Sequence, residues 1–91
     1  MEKMYQVNIK VLSQKGTCAA GHKEGDEFEC IGMTPGGMCI YAFDSMFSFL
    51  STLMFGGEFF WSQDKDAVEV ACPDAENPVV FELRRVHAGK V

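Results

Sequence analysis

Cys18, His22, Cys39 and Cys72 are the side chains of this 91-residue chain whose types and spacing suit metal or thiol chemistry. Three soft thiolates and one imidazole would together suit zinc or iron. Each of the three cysteines falls at an end of an expected secondary-structure element, and such ends can converge at one edge of a small sheet. Cys39 follows Gly36 and Gly37 and stands at or just before the first turn of an expected helix. Unpaired backbone N–H groups and the helix dipole favour an anion there, which makes Cys39 the candidate for a catalytic thiolate.

Taken singly, each residue has a simpler reading. Cysteine is among the most buried residue types, so Cys39 reads as a small hydrophobe under a turn and Cys72 as rim packing. Cys18 and His22 lie in the loop "TCAAGHKEGDEFEC", where their spacing neither requires nor forbids two bonds to one ion, and His22 alone reads as a solvated loop histidine. Cys30 sits beside Phe28 in an expected strand and is assigned to the core. No C-x-x-C, H-E-x-x-H, G-x-S-x-G or phosphate-loop pattern occurs.

The elements that must position these residues follow from periodicity. "YQVNIKV" places Tyr5, Val7, Ile9 and Val11 on one face and Gln6, Asn8 and Lys10 on the other, the pattern of a half-buried strand. "GDEFECI" resumes that alternation. After the breakers of "MTPGGMC", Ile40, Phe43, Met46, Phe47, Leu50, Leu53 and Met54 fall on one arc of a helix, which Gly56 and Gly57 would cap. "AVEVAC" and "VVFELRRV" are two further strands joined by the turn "PDAENP". The order β-β-α-β-β implies a single α+β domain over 1–91, with a four-stranded, mainly antiparallel sheet and one helix packed on it.

Other polar groups give less. Asp26 with Glu27 and Glu29, or Asp64 with Asp66, read as solvated carboxylates in the absence of a pocket. Arg84 and Arg85 should point to opposite faces of their strand, one pairing with Glu69 and the other free for an anion. His87 is expected in a frayed tail.

Composition narrows the partners. Thirteen acidic residues against eight basic ones give a formal charge of -5, which disfavours nucleic acid and anionic membrane surfaces. The most apolar stretch, residues 40–55, contains Asp44 and several hydroxyl residues and is shorter than the roughly 20 apolar residues of a membrane span. The N-terminus lacks the apolar run of a signal peptide, so the expectation is a cytoplasmic protein in which cysteines serve as thiols or ligands. Tyr41, Phe49, Phe55, Phe59, Phe60 and Trp61 exceed what one helix arc can bury. Either a homodimer absorbs them or the loop 56–66 folds back over the core edge.

The chain also resembles a family of small prokaryotic proteins of this length with no assigned activity. The resemblance rests on "CAAGHKEGDEF", "GGMC" followed by an aromatic-rich helix, "FGGEFFW" and "ACPDAENPVVFELRRV", and so covers nearly the whole chain. It implies cysteines at positions matching Cys18, Cys39 and Cys72, with no counterpart of Cys30 and a variable residue at the position of His22. The chain departs from the pattern at Ala19, where Pro commonly follows the first cysteine, and at Tyr41 and Phe43, where tryptophans are usual.

Three readings of function remain open. The first is a thiol-rich site of Cys18, Cys39 and Cys72, with His22 optional, that holds a soft metal in a structural or redox role. The second is a dimeric interaction module with core cysteines. The third is a thiol enzyme with Cys39 as nucleophile, its small-molecule ligand unspecified.

Overall fold

The alternating segment at the N-terminus forms β1 (Tyr5–Gln14), followed by β2 (Glu27–Cys30), α1 (Ile40–Met54), β3 (Ala67–Ala71) and β4 (Val79–Lys90). This computed structural model describes residues 4–90, and the side chains through His87; residues 1–3 and 91 of the expected domain lie outside the described residues. The strands form one sheet in the order β2-β1-β4-β3, every neighbouring pair antiparallel. The α+β expectation is met, with no parallel pair among the described residues.

Register explains the two faces. Phe28, Ile9, Leu83 and Val68 stand across from one another in one row, and Val11, Phe81 and Val70 in the next. These side chains face α1, and Ile9, Val11, Phe81 and Leu83 are completely buried. Glu27, Glu29, Lys10, Glu82, Arg84 and Glu69 alternate onto the other face, the solvated side of a one-helix sheet. The antiparallel order has a further consequence. The end of β1, the start of β2, the end of β3 and the start of β4 all lie at one end of the sheet.

The helix buries Ala42, Met46, Leu50, Leu53 and Met54. The expected arc is therefore rotated: Ile40 and Phe47 are largely exposed, and Ala42, whose small side chain permits close approach to the sheet, takes their place. At the C-terminus the glycine expectation holds in detail. Gly56, at φ +89°, donates its N–H to Leu53 O, and Gly57 donates to Thr52 O, the two bonds of a Schellman cap. Among the described residues no helix is long and apolar enough to cross a membrane.

Arg85 lies on the helix-facing side of β4 at the other end of the sheet and is buried. Its Nη1 donates to Leu53 O at 3.1 Å and Gly57 O at 2.8 Å, Nη2 donates to Lys65 O at 2.9 Å, and Nε pairs with Asp66 at 3.0 Å. The guanidinium also lies 5.4 Å from the centre of the Tyr5 ring. It is thus occupied in tying the helix end to the loop before β3. Arg84, on the solvated face, pairs with Asp64 and Glu82. The expected pairing with Glu69 fails because the register sets Glu69 opposite Glu82 and Ala67 opposite Arg84. His87 is likewise no frayed tail, since β4 runs through it and Nε2 stands 2.8 Å from Asp66.

Replacing Arg85 with Met should lower unfolding free energy in urea by about 2–4 kcal/mol, because it removes the buried guanidinium's bonds to Leu53 O, Gly57 O and Lys65 O and leaves Asp66 without its cation. An unchanged urea midpoint would show that the clamp is dispensable. Acid should act on the same region. Hydrogen bonding from His87, and then from Arg85, holds the Asp66 carboxyl below the ordinary carboxylate range. A depressed folded-state value means stabilisation present above the unfolded value, near 3.9, and lost as pH falls below it. Urea midpoints measured from about pH 5 to about pH 2 should therefore fall less steeply in Asp66→Asn than in the wild type.

Candidate functional site

The shared end of the sheet carries the thiols. Cys18 belongs to the loop between β1 and β2, Cys39 is the residue that opens α1, and Cys72 follows β3 directly. All three are half-buried, free of disulfides, and line one cavity of about 270 Å³ together with His22. Ala19, Ala20, Ala42, Pro73, Val79 and Phe81 make its walls largely apolar, while Tyr41, Asp74 and Asn77 add polar atoms. Cys30 lies apart in the core, where burial pushes its thiol up. The sequence-based separation of Cys30 from the other three is therefore a feature of the fold.

Two turns are stapled together to form this cavity. Asp74 accepts the N–H groups of Glu76 and Asn77, both at 3.1 Å, and its carboxyl is held below the usual range chiefly by the Asn77 backbone bond. That fixes Asn77, whose Oδ1 accepts the Thr17 N–H at 2.9 Å, while Lys15 N–H bonds Pro78 O at 3.1 Å. Gly16, at φ +68°, is required here because any Cβ would collide with the Asn77 amide. The Cys18–Gly21 turn follows at once, closed by the Gly21 N–H on Cys18 O. Cys72 is held by bonding to Val79: its N–H donates to Val79 O at 2.9 Å, and its sulfur accepts the Val79 N–H at 3.3 Å.

His22 corrects the expectation of a solvated loop residue. Gly21, at φ +79°, reverses the chain so that the imidazole packs edge-on against Phe28 and Phe81, and only 5% of the residue stays exposed. Its Nε2 accepts the backbone N–H of Cys39 at 3.0 Å. Only an unprotonated nitrogen accepts such a bond, so Nε2 is lone-pair-bearing and engaged. His22 thereby anchors the residue that opens α1. Cys39 makes no side-chain cap of its own, which leaves its thiol unspent at the helix N-terminus.

The structure thus gathers Cys18, His22, Cys39 and Cys72 around one cavity. Among the described residues, however, no three cysteine, histidine, aspartate or glutamate side chains are arranged to hold a metal ion. Sequence reasoning missed Asp74 and Asn77 as builders of the cavity, although "PDAENP" carries the signal, since Asx side chains bond backbone two or three residues on. It also missed the role of His22, whose partner is 17 residues away.

His22→Phe keeps an aromatic ring but removes the acceptor, so it should cost about 1–3 kcal/mol in urea unfolding and speed hydrogen exchange at the Cys39 amide. Unaltered exchange there would show that the cap contributes nothing. No family model, curated protein or solved structure matches the chain.

Proposed function

We propose that the protein is a binding protein whose thiol-lined cavity takes up a soft transition-metal ion, zinc or iron, on Cys18, Cys39 and Cys72, in a structural or redox role. The observation that supports this is convergence: three thiols from three different elements line one cavity, while the fourth cysteine is excluded. Thiolates select soft ions, and three protein ligands leave one position open. His22 serves this site by positioning Cys39, because its Nε2 is already engaged.

Uptake must draw the sulfurs inward, to within about 4 Å of one another around a single ion with Zn–S bonds near 2.3 Å. The Cys18 loop is the part best able to move, being a surface turn between two strands. Protein purified anaerobically without affinity metal should contain close to one zinc or iron per chain by elemental analysis. Cys39→Ser should lose most of that metal while keeping a wild-type fold by circular dichroism; metal content unchanged by the substitution would remove Cys39 from the site.

A second reading draws on a separate observation. Phe49 of α1 and Phe59, Phe60 and Trp61 of the following loop form a contiguous aromatic cluster, with Phe60 97% exposed and Trp61 57% exposed. The loop 56–66 covers the core edge through Phe59 but leaves the other two rings in solvent. In this reading the cluster meets a second copy and the protein is a dimeric interaction module. Sedimentation of the wild type as a dimer, and of Trp61→Ala as a monomer with thiol reactivity unchanged, would favour it over the metal site. A monomeric wild type would set it aside.

A further inference from the structure

We infer that the cavity recognises a small, uncharged, mainly apolar molecule through one carbonyl oxygen, which accepts a hydrogen bond from Nδ1–H of His22. The inference rests on reading this cavity as the protein's binding site; it does not require a metal ion.

The ring's tautomer is fixed by its environment. Because Nε2 accepts from the Cys39 backbone, Nδ1 carries the proton and is a donor. Nδ1 has no protein partner, yet no buried side-chain nitrogen or oxygen among the described residues lacks one, so Nδ1 keeps access from outside the protein. His22 is buried, with only 5% of the residue exposed, and it lines the cavity. A donor in such a setting binds an acceptor more strongly than one in open water, because the competing solvent is thinned.

Three further features select the ligand. The cavity, at about 270 Å³, exceeds what a bare ion fills and lies just under the roughly 300–1,000 Å³ range of small-molecule sites. Three alanines, Pro73, Val79 and Phe81 line it beside the three thiols, and these favour an apolar body. Asp74 also lines it, with a carboxyl held in the ionised form by the Asn77 bonds, and so opposes an anionic ligand. A neutral carbonyl meets all three conditions.

The test uses reduced, metal-free, 15N-labelled full-length protein and three probes of similar shape: cyclohexanone, methylenecyclohexane and cyclohexanecarboxylate. Cyclohexanone should shift the His22 Nδ1 resonance and the Cys39 and Val79 amides saturably. It should bind tighter than the carboxylate. Methylenecyclohexane, the more hydrophobic probe, calibrates the apolar contacts, so the hydrogen bond is read from the ketone-to-alkene affinity ratio, which should be at least about fivefold higher in the wild type than in His22→Phe. Since that variant also loses a helix anchor, the wild-type resonances decide by themselves: no saturable change at His22 Nδ1 with the ketone, or the same change with the alkene, would overturn the inference. Metal uptake without ketone binding likewise overturns it and leaves the thiol-site reading standing, whereas ketone binding by a protein that takes up no metal supports it while the metal reading fails.

Discussion

The pairing of β1 with β4 is the constraint from which the site follows. These two strands are the centre of the sheet, and their register sets Gln14 against Val79. Both short connections, from β1 to β2 and from β3 to β4, must then emerge side by side. Everything polar at that end depends on their adjacency, including the Asn77 bond to Thr17 and the closeness of the Cys18 turn to Cys72. A slip of β1 by one residue would send Val7, Ile9 and Val11 to the solvated face and shift the two turns out of register at the same time.

The helix completes the arrangement because it is held at both ends by buried polar side chains. Among the described residues the buried polar groups are His22 and Arg85. His22 accepts the N–H of the residue that opens α1, and Arg85 donates to a carbonyl of its last turn. Each therefore satisfies a backbone group that a helix terminus leaves without an intrahelical partner. The apolar contacts of Met46, Leu50 and Leu53 press α1 onto the sheet, and the polar bonds add directional restraints at its two ends. The restraint at the first end holds the Cys39 backbone where its residue lines the cavity.

The fold was legible because its signals are local. Alternation in Tyr5–Val11 and in Ala67–Ala71, the breakers before Ile40 and the glycine pair after Met54 each act within a few residues. The grouping of Cys18, Cys39 and Cys72 at element ends was also legible, for the same reason. What sequence could not give were the facts that depend on register and long-range packing. The partner of Arg84 is decided by which residue of β3 lies opposite, the rotation of the helix arc by the close fit of Ala42, and the burial of His22 by the positions of Phe28 and Phe81. None of these leaves a trace in spacing alone.

Three thiols from separate elements share one cavity, and Cys30 does not. A trivalent arsenical, which bonds two or three neighbouring thiolates at once, tests that directly when added in equimolar amount to the reduced, folded protein. One arsenic should be retained per chain, bound through members of the set Cys18, Cys39 and Cys72, with Cys30 still free to alkylate after unfolding. Capture involving Cys30, or three cavity thiols that each alkylate independently with no arsenic retained, would contradict it.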